Sequence, residues 1–580
     1  MLKKSICILL GSCLYSPYIY AEEDHSLNTV IQNGQKIKQI EDQRQIEKFI
    51  PTSPYQGVND IKNLIEKEEV CFTVEQLDLI ILNERSIQEK KQFNFLLQSL
   101  DDKKKNKVTG ECVGTKSLHR ILNFLQNELI IKGYITSTVS VEPQDLASQK
   151  KLVFTLLVGR FGQFIQTDPK ASLSQSQLRA AFAVKEHDAL NIRVLDQGID
   201  NLKGISDLAV KLELQPIKEE NCLGYSDVEL ISTGYKKLNV NMGLDDSGGK
   251  TNGIYNLSLG ATLNNVVGFN DTLSANYSRS IDNWHYDRNY NSYLSYEVPY
   301  RYYNLNLSYN RSYYDQRVAG YKAPLLYHGN SEQTNITLSR LVSRGTNYKT
   351  SIYTRGYHRS SQNFIDDLEI EVQRRRTTGW NLGLKHKQYL GQTLVDASID
   401  YRRGSGALKA KRAPEEDIHD INQNLLPSEG YARAPIWSAD IRVNMPITLL
   451  NSPAQYRLNW HGQYAPQILV PQDRFYIGGR YSVRGFDGNN MLVGDSGHYL
   501  QQEISMNIPI KNTQMYLGID QGWVNGSNSF NNQRYLMGSV LGLRTYSYGF
   551  YLDTFVGHGV IAPKSVSKDW TAGFSLNFSY

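Results

Sequence analysis

Hydrophobic and polar positions follow two rhythms along the chain, and the change falls near residue 235. Beyond it, short segments alternate strictly. Tyr255, Leu257, Leu259 and Ala261 are separated by Asn256, Ser258 and Gly260, and Leu305, Leu307 and Tyr309 by Asn306 and Ser308. Val395, Ala397, Ile399 and Tyr401 are separated by Asp396, Ser398 and Asp400. The chain ends with Trp570, Ala572, Phe574, Leu576, Phe578 and Tyr580 on one face and Thr571, Gly573, Ser575, Asn577 and Ser579 on the other. Side chains of a strand point alternately to its two faces, so each segment carries one apolar and one polar face. A β-sandwich alternates in the same way. The length of the run, 236–580, and an aromatic last residue favour a membrane barrel with lipid outside and a polar lumen. At roughly 20–22 residues per strand and connection, the run makes about 16 antiparallel strands. A barrel of that size keeps an open lumen unless something plugs it.

The first part of the chain mixes helix and strand. Residues 26–48 are polar and suit a helix, with Leu27, Val30, Ile31, Ile37, Ile40 and Ile46 as a sparse apolar set. Such a helix builds no core of its own and must lie in a groove, a pore or solvent. Pro51, Pro54 and Gly57 mark a linker. A strand over 70–81 and a short helix over 92–100 follow. Leu118, Ile121, Leu122, Leu125 and Leu129 then fall on one face of a helix over 116–131, closed by Gly133. Strands over 135–141 and 151–158 complete a β-α-α-β-β unit. The order repeats: a strand over 161–166, a helix over 174–182, a helix capped by Asn191 that carries Ile192, Leu195, Ile199 and Leu202, and strands over 207–214 and 226–231.

Composition sharpens this picture. The chain is 40% hydrophobic, with 38 Tyr against 18 Phe and 6 Trp. Outside the first twenty residues no apolar run reaches the ~18 residues of a membrane-spanning helix. Both facts suit a barrel, in which only alternate residues meet lipid. The net charge of +5 is too small to indicate nucleic acid. Lys3 and Lys4, the apolar stretch from Ile6 to Leu14, and Ala21 followed by Glu22, Glu23 and Asp24 read as a secretory signal cleaved after Ala21. Leu10-Gly11-Ser12-Cys13 also fits a lipoprotein cleavage box, with Cys13 as the lipidated residue; on either reading the chain leaves the cytoplasm. Of the five cysteines, Cys7 and Cys13 lie in the signal, and Cys71 and Cys112 flank one compact stretch. In an oxidising compartment these last two are expected to form a disulfide. Two thiols without a clustered His make a poor zinc site, so no metal is expected. Cys222 is left as a free thiol.

A signal, a polar helix, two small α/β units and a barrel of about 16 strands together resemble the transporters of two-partner secretion, the haemolysin/haemagglutinin transporters of the Omp85 superfamily. The small units resemble POTRA domains. Cys71-Phe72 and Gly110-Glu111-Cys112 look like the first POTRA domain of the haemolysin-transporter branch, and Leu190-Asn191-Ile192-Arg193 with Asp196-Gln197-Gly198 like the signature helix of the second. Gly479-Arg480-Tyr481-Ser482-Val483-Arg484-Gly485-Phe486 resembles the family's V-R-G-[FY] motif, at the tip of the sixth extracellular loop folded into the lumen. Gly518-Ile519-Asp520-Gln521-Gly522 resembles the companion F-x-D-x-G motif of a barrel strand, with Gly518 where the family usually has Phe.

The resemblance implies six segments: a signal peptide, 1–21; a plug helix, 22–48; a linker, 49–67; POTRA domains, 68–158 and 159–233; and the barrel, 234–580. A buried Arg484 needs a partner, and Asp520 is expected to supply it. Val483, Arg484, Gly485 and Phe486 would then hold the loop against Asp520 and Gly522. Phe574, Leu576, Phe578 and Tyr580 resemble the insertion signal read by the barrel-assembly machinery. The expected function is export of a large β-helical exoprotein (a haemolysin, adhesin or contact-dependent toxin) across the Gram-negative outer membrane, without ATP and without a cofactor. The expected partners are that client, the assembly machinery and outer-membrane lipid. An insertion factor of the same superfamily and a passive porin are the alternatives. No enzyme is expected, for no convergent catalytic set is visible. Gly248-Gly249-Lys250-Thr251 lacks the earlier glycine of a P-loop, and Gly494-Asp495-Ser496-Gly497 lacks His and Asp partners for a protease.

Overall fold

The computed structural model describes residues 63–580 except 102–106, 169–171, 206–207, 218–221, 250–252, 283–287, 319–322, 418–429 and 527–533. The expected signal, the plug helix and residues 49–62 of the linker lie outside the described residues.

The first unit opens with β1 (Phe72–Thr73) and β2 (Gln76–Ile81). The single strand expected over 70–81 is broken at Val74 and Glu75. Val74 is fully buried and its N–H donates to the Glu111 carbonyl at 3.0 Å. There the chain leaves its antiparallel pairing with β3 (Cys112–Val113) and joins β5 (Lys151–Leu157) in parallel. The helix expected over 92–100 is two, α1 (Ile87–Phe93) and α2 (Phe95–Leu100). Helix α3 (Thr115–Lys132) buries Ile121, Leu125 and Leu129 completely, and Gly133 ends it at φ 94°, a left-handed cap that glycine takes without a Cβ clash. Strand β4 (Thr138–Ser140), shorter than expected, and a one-turn helix α4 (Leu146–Gln149) complete the unit, whose sheet order is β2-β5-β4.

The second unit has the same topology. Strand β6 (Arg160–Gln166) runs parallel to β8 (Tyr225–Ser232), and β7 (Val210–Pro216) runs antiparallel to it. Helix α5 (Gln175–Ala181) starts with a capping box formed by Ser174 and Gln177. Helix α6 (Ile192–Leu202) is capped by Asn191, whose side chain accepts from the Arg193 N–H at 2.9 Å.

The two units are joined by packing. Only Val158 and Gly159 separate β5 from β6. The Asn191 amide also donates to the Lys132 carbonyl at the end of α3, at 3.0 Å. The Arg160 side chain, 1% exposed, holds both Glu89 oxygens at 3.0 and 2.9 Å, the His187 carbonyl at 3.0 Å and the Asn83 carbonyl.

The remaining strands close a barrel of sixteen staves among the described residues. They are β9 (Leu238–Asp245), β10 (Asn256–Asn264), β11 (Thr272–Ser280), β12 (Asn289–Tyr300), β13 (Tyr303–Val318), β14 (Leu325–Arg344) and β15 (Tyr348–Ile365), the last extended by the two-residue β16 (Leu368–Glu369). Then come β17 (Arg375–Leu390), β18 (Thr393–Ser405), β19 (Pro435–Leu449) and β20 (Ser452–Tyr464). Strands β21 (Phe475–Ile477) and β22 (Leu492–Gly494) form a small hairpin inside a long connection. The last staves are β23 (Ser496–Asn507), β24 (Thr513–Asn525), β25 (Tyr535–Ser547), β26 (Phe550–Ile561) and β27 (Thr571–Ser579), which pairs back to β9.

The faces are those of a membrane barrel. Leu259, Leu307, Ile336, Leu382 and Leu541 are exposed on the outside, while Asn291, Ser308, Asp315 and Asp520 are buried. No helix among the described residues is long and apolar enough to span a membrane, and the chain crosses with strands.

Candidate functional site: a loop folded into the lumen

The second unit seats on three turns at one end of the barrel. Gln177 and Asn270 bond reciprocally, at 3.2 and 2.8 Å. The Arg301 N–H donates to the Ala180 carbonyl at 2.7 Å, and Asn201 donates to the Arg301 carbonyl at 2.8 Å. Arg344 reaches Asp200 at 2.7 Å and Gln197 at 3.0 Å, and Arg193 reaches Thr346 at 2.8 Å. The signature helix α6 therefore turns its polar positions toward the barrel and its leucines toward its own core. The sequence signal of this seat was a polar face on α6, with Arg193, Asp196, Gln197, Asp200 and Asn201 set among its apolar positions.

From the opposite end, residues 465–495 between β20 and β23 fold back inside. Gly478, Gly485 and Gly488 all have positive φ, which makes the tight returns possible. Val483 (0% exposed) and Phe486 (5%) pack with Ile477, Val524 and Leu536. Between them Arg484 lies flat against the wall. Its Nε and Nη2 donate to the two Asp520 oxygens at 2.7 and 2.9 Å, and its backbone N–H donates to Asp520 at 2.9 Å. Asp520 is fully buried. This is the bidentate fork that guanidinium and carboxylate geometry favours. Nη1 reaches Glu503 on β23 at 2.7 Å, and Glu503 is also held by Arg544, which bonds Asp553 at 3.0 Å.

The wall makes room for the loop with glycines. A Cβ at Gly518 would stand 2.6 Å from the Arg484 guanidinium, so the glycine that departs from the family's usual Phe lies where the arginine needs space. A Cβ at Gly522 would stand 2.8 Å from Val483, and one at Gly559 2.6 Å from the Phe486 ring.

Two more contacts of the loop were not foreseen. Asp473, in a 3-10 turn at Pro471–Asp473, sits between Arg359 of β15 at 3.2 Å and Arg402 of β18 at 3.0 Å. Arg480 bonds Asp246, just beyond β9. The only signal for these partners was a charge at an inward position of an alternating strand, as at Arg359, Arg402, Glu503 and Arg544. Asp495, from the protease-like tetrapeptide, accepts the Leu469 N–H at 2.8 Å and shapes the base of the loop.

The other expected site residues lie apart from the loop. Cys71 and Cys112 are disulfide-bonded with Cα atoms 5.3 Å apart, beside the Thr73–Cys112 step of the β1–β3 ladder, and Cys222 is free. Phe574, Leu576 and Phe578 are on β27 facing away from the lumen, with Phe578 against Phe550 at 4.8 Å. The Tyr580 ring lies under Lys236 at 4.6 Å.

A closed barrel of sixteen staves among the described residues, a loop bonded inside it and two α/β units in tandem, the second seated at its other end, define a barrel channel of the outer-membrane transporter class. The description that matches residues 224–545 is haemolysin secretion/activation protein ShlB/FhaC/HecB, and residues 93–158 match the POTRA domain of ShlB type. The chain is 45% identical to the solved structure of CdiB from Acinetobacter baumannii, covering 96% of this chain and 99% of that one, with a TM-score of 0.86. It is 27% identical to the outer membrane transporter CdiB-2 of Burkholderia pseudomallei, over 81% of this chain and 79% of the relative. It is 24% identical to the hemolysin transporter protein ShlB of Serratia marcescens, over 81% of each. The chain belongs to the haemolysin secretion/activation protein family ShlB/FhaC/HecB. It is an outer-membrane transporter of two-partner secretion, with its POTRA units in the periplasm.

Proposed function

We propose that this transporter exports one large β-helical exoprotein, a haemolysin, adhesin or contact-dependent toxin, encoded beside it. The observation that carries the reading is the seat of the second POTRA unit on the barrel turns at Asn270, Arg301 and Arg344, which holds the unit under the mouth of the lumen. The client arrives unfolded and adds as a strand to a POTRA sheet edge; β2 and β4 are the edges of the first sheet, and β6 and β7 those of the second. Strand addition suits an unfolded client because backbone hydrogen bonds serve almost any sequence. The first unit also exposes Val70, Phe72, Ile80, Leu82 and Ile87 to an apolar partner.

On this reading 68–158 and 159–233 are the receptor domains, 234–580 is the channel, and 22–48 occupy the lumen at rest. Arg484 and Asp520 lock the loop, with Val483, Gly485, Phe486 and Gly522 shaping its berth. Phe574, Leu576, Phe578 and Tyr580 present the chain to the barrel-assembly machinery. Folding of the client outside gives the movement its direction, so the channel itself performs no chemistry.

The test is co-expression with the neighbouring exoprotein, followed by assay of the medium. Export by the wild type that collapses in Arg484→Ala, with the barrel still assembled, supports both transport and lock. An intact client retained in the periplasm by a correctly inserted wild-type barrel would overturn the pairing. Deletion of 22–48 should raise channel conductance, and an unchanged conductance would remove the plug.

A further inference from the structure

The barrel closes on its shortest full ladder. Strands β27 and β9 share five residue pairs, from Ser575↔Asp245 to Ser579↔Asn241, whereas β9 with β10 and β26 with β27 share eight each. Toward the periplasm the seam continues: Val240 and Tyr580 exchange two backbone bonds at 3.2 and 2.9 Å. Toward the outside the paired residues stop at Asp245, with one more, long backbone bond from the Asp246 N–H to the Phe574 carbonyl at 3.4 Å, while β27 still runs beside β26 as far as Thr571.

At that stop a side chain of the sixth loop takes over. Arg480 bonds the Asp246 carboxylate on the first-strand side and approaches the Phe574 carbonyl on the last-strand side, at 3.5 Å. The same Asp246 oxygen accepts the Phe574 N–H at 2.8 Å. The Arg480 guanidinium lies 5.0 Å from the Phe555 ring centre on β26, and Gly573 leaves it room. The far end of this stretch is Asp473, held on the seventh and ninth staves, half the circumference away from the seam between the sixteenth and the first. From 473 to 480 the chain spans at most ~25 Å, at about 3.3–3.6 Å per residue. On the way it follows the inner wall, with Phe475 against His461 and Tyr499 and Ile477 against Gly522, and so links that part of the wall to the seam.

We propose that Arg480 is a positioning residue that completes the barrel seam where the backbone ladder ends, so that seating the loop and closing the outer half of the seam are one event. A loop that swings aside takes the Arg480 bonds with it and leaves Asp246 and Phe574 held by one another alone. The barrel is tied across its shortest full ladder by the sixth loop.

The test is hydrogen exchange by mass spectrometry on the full-length protein in lipid nanodiscs, without client. In Arg480→Ala, amides in 245–248 and 571–575 should exchange about tenfold faster, the loss of charge-assisted hydrogen bonds. Amides in 238–242 and in the POTRA units should keep wild-type rates. Arg480→Lys, which restores the charge on Asp246, should recover part of the protection. Asp246→Asn gives the same local effect in smaller measure and serves if Arg480→Ala fails to assemble. Wild-type exchange in these segments, or acceleration spread evenly over all staves, would overturn the proposal. Neither result depends on export, so the transporter reading and this one fail separately.

Discussion

The first POTRA unit and the sixth loop are both buried, but by different means. The unit is held by apolar side chains: Leu79, Phe93, Leu96, Ile121, Leu125, Leu152 and Phe154 form one cluster with no exposure above 1%. The loop adds charge to a smaller apolar cluster: Phe475, Ile477, Val483 and Phe486 pack against the wall, and Arg484, Arg480 and Asp473 each meet an opposite charge on it. Apolar burial is non-directional and is lost when the packed surface returns to water. An ion pair can be exchanged for water or for another partner while the backbone stays folded. The first unit is held chiefly by apolar burial, and the loop adds to its apolar packing ion pairs that can be exchanged.

The comparison breaks most visibly in the apolar core. Leu125→Ala should cost the first unit about 3 kcal/mol, within the range for a buried leucine. Calorimetry of the full-length protein should show the POTRA transition falling while the barrel transition stays. Arg484→Ala should cost the loop's seat a similar or smaller amount, about 3 kcal/mol, because it strands the buried Asp520 without its cation, while Glu503 keeps Arg544. Its signature differs: barrel melting unchanged, with loop mobility and conductance raised in planar bilayers. Asp473→Asn keeps a hydrogen-bond acceptor and removes the charge, so about 1–2 kcal/mol is expected. A spin label at the base of the loop should report more motion, and one near Arg484 should not.

The smallest effect is a pH dependence of the first unit. Partial burial pushes the Asp78 carboxyl up, but Lys151, the Leu79 N–H and Lys90 outweigh it and bring it down to about 2. A carboxyl held below its ordinary value stabilises fully above that value, near pH 4, and its contribution is lost as the pH falls through about 2. Melting of the POTRA transition from pH 5 to pH 2 should lose that part of its slope in Asp78→Asn. An identical slope would remove Asp78 from the account.

Legibility in the sequence divides along the same line. The barrel and the helix over Leu118–Leu129 announced themselves because apolar burial imposes a period, 2 or 3.6, on neighbouring residues. The break at Val74 was invisible, since a buried valine suits the strand and the turn alike. The charged contacts left no period at all. Arg484 with Asp520 was named only through motifs that resemble a family's. Arg480 with Asp246, 234 residues apart, had no motif to name it. The junction at Arg160 was missed for the same reason: its partners Asn83, Glu89 and His187 lie on both units, and nothing local joins them. Strand pairing was likewise legible in kind but not in register, because alternation fixes which face a residue takes and not which residue sits opposite.

Asn191 carries a practical consequence for anyone who would build chimeras from this protein. One side chain starts helix α6 and also holds the last carbonyl of helix α3, that of Lys132, while Arg160 reads Glu89 across the same junction. A recombination point between the two POTRA domains would ask a foreign domain to supply both halves of these contacts. Exchanged whole, from the start of the first domain to the end of β8, the pair carries its junction along and leaves only the seat on Asn270, Arg301 and Arg344 to be matched.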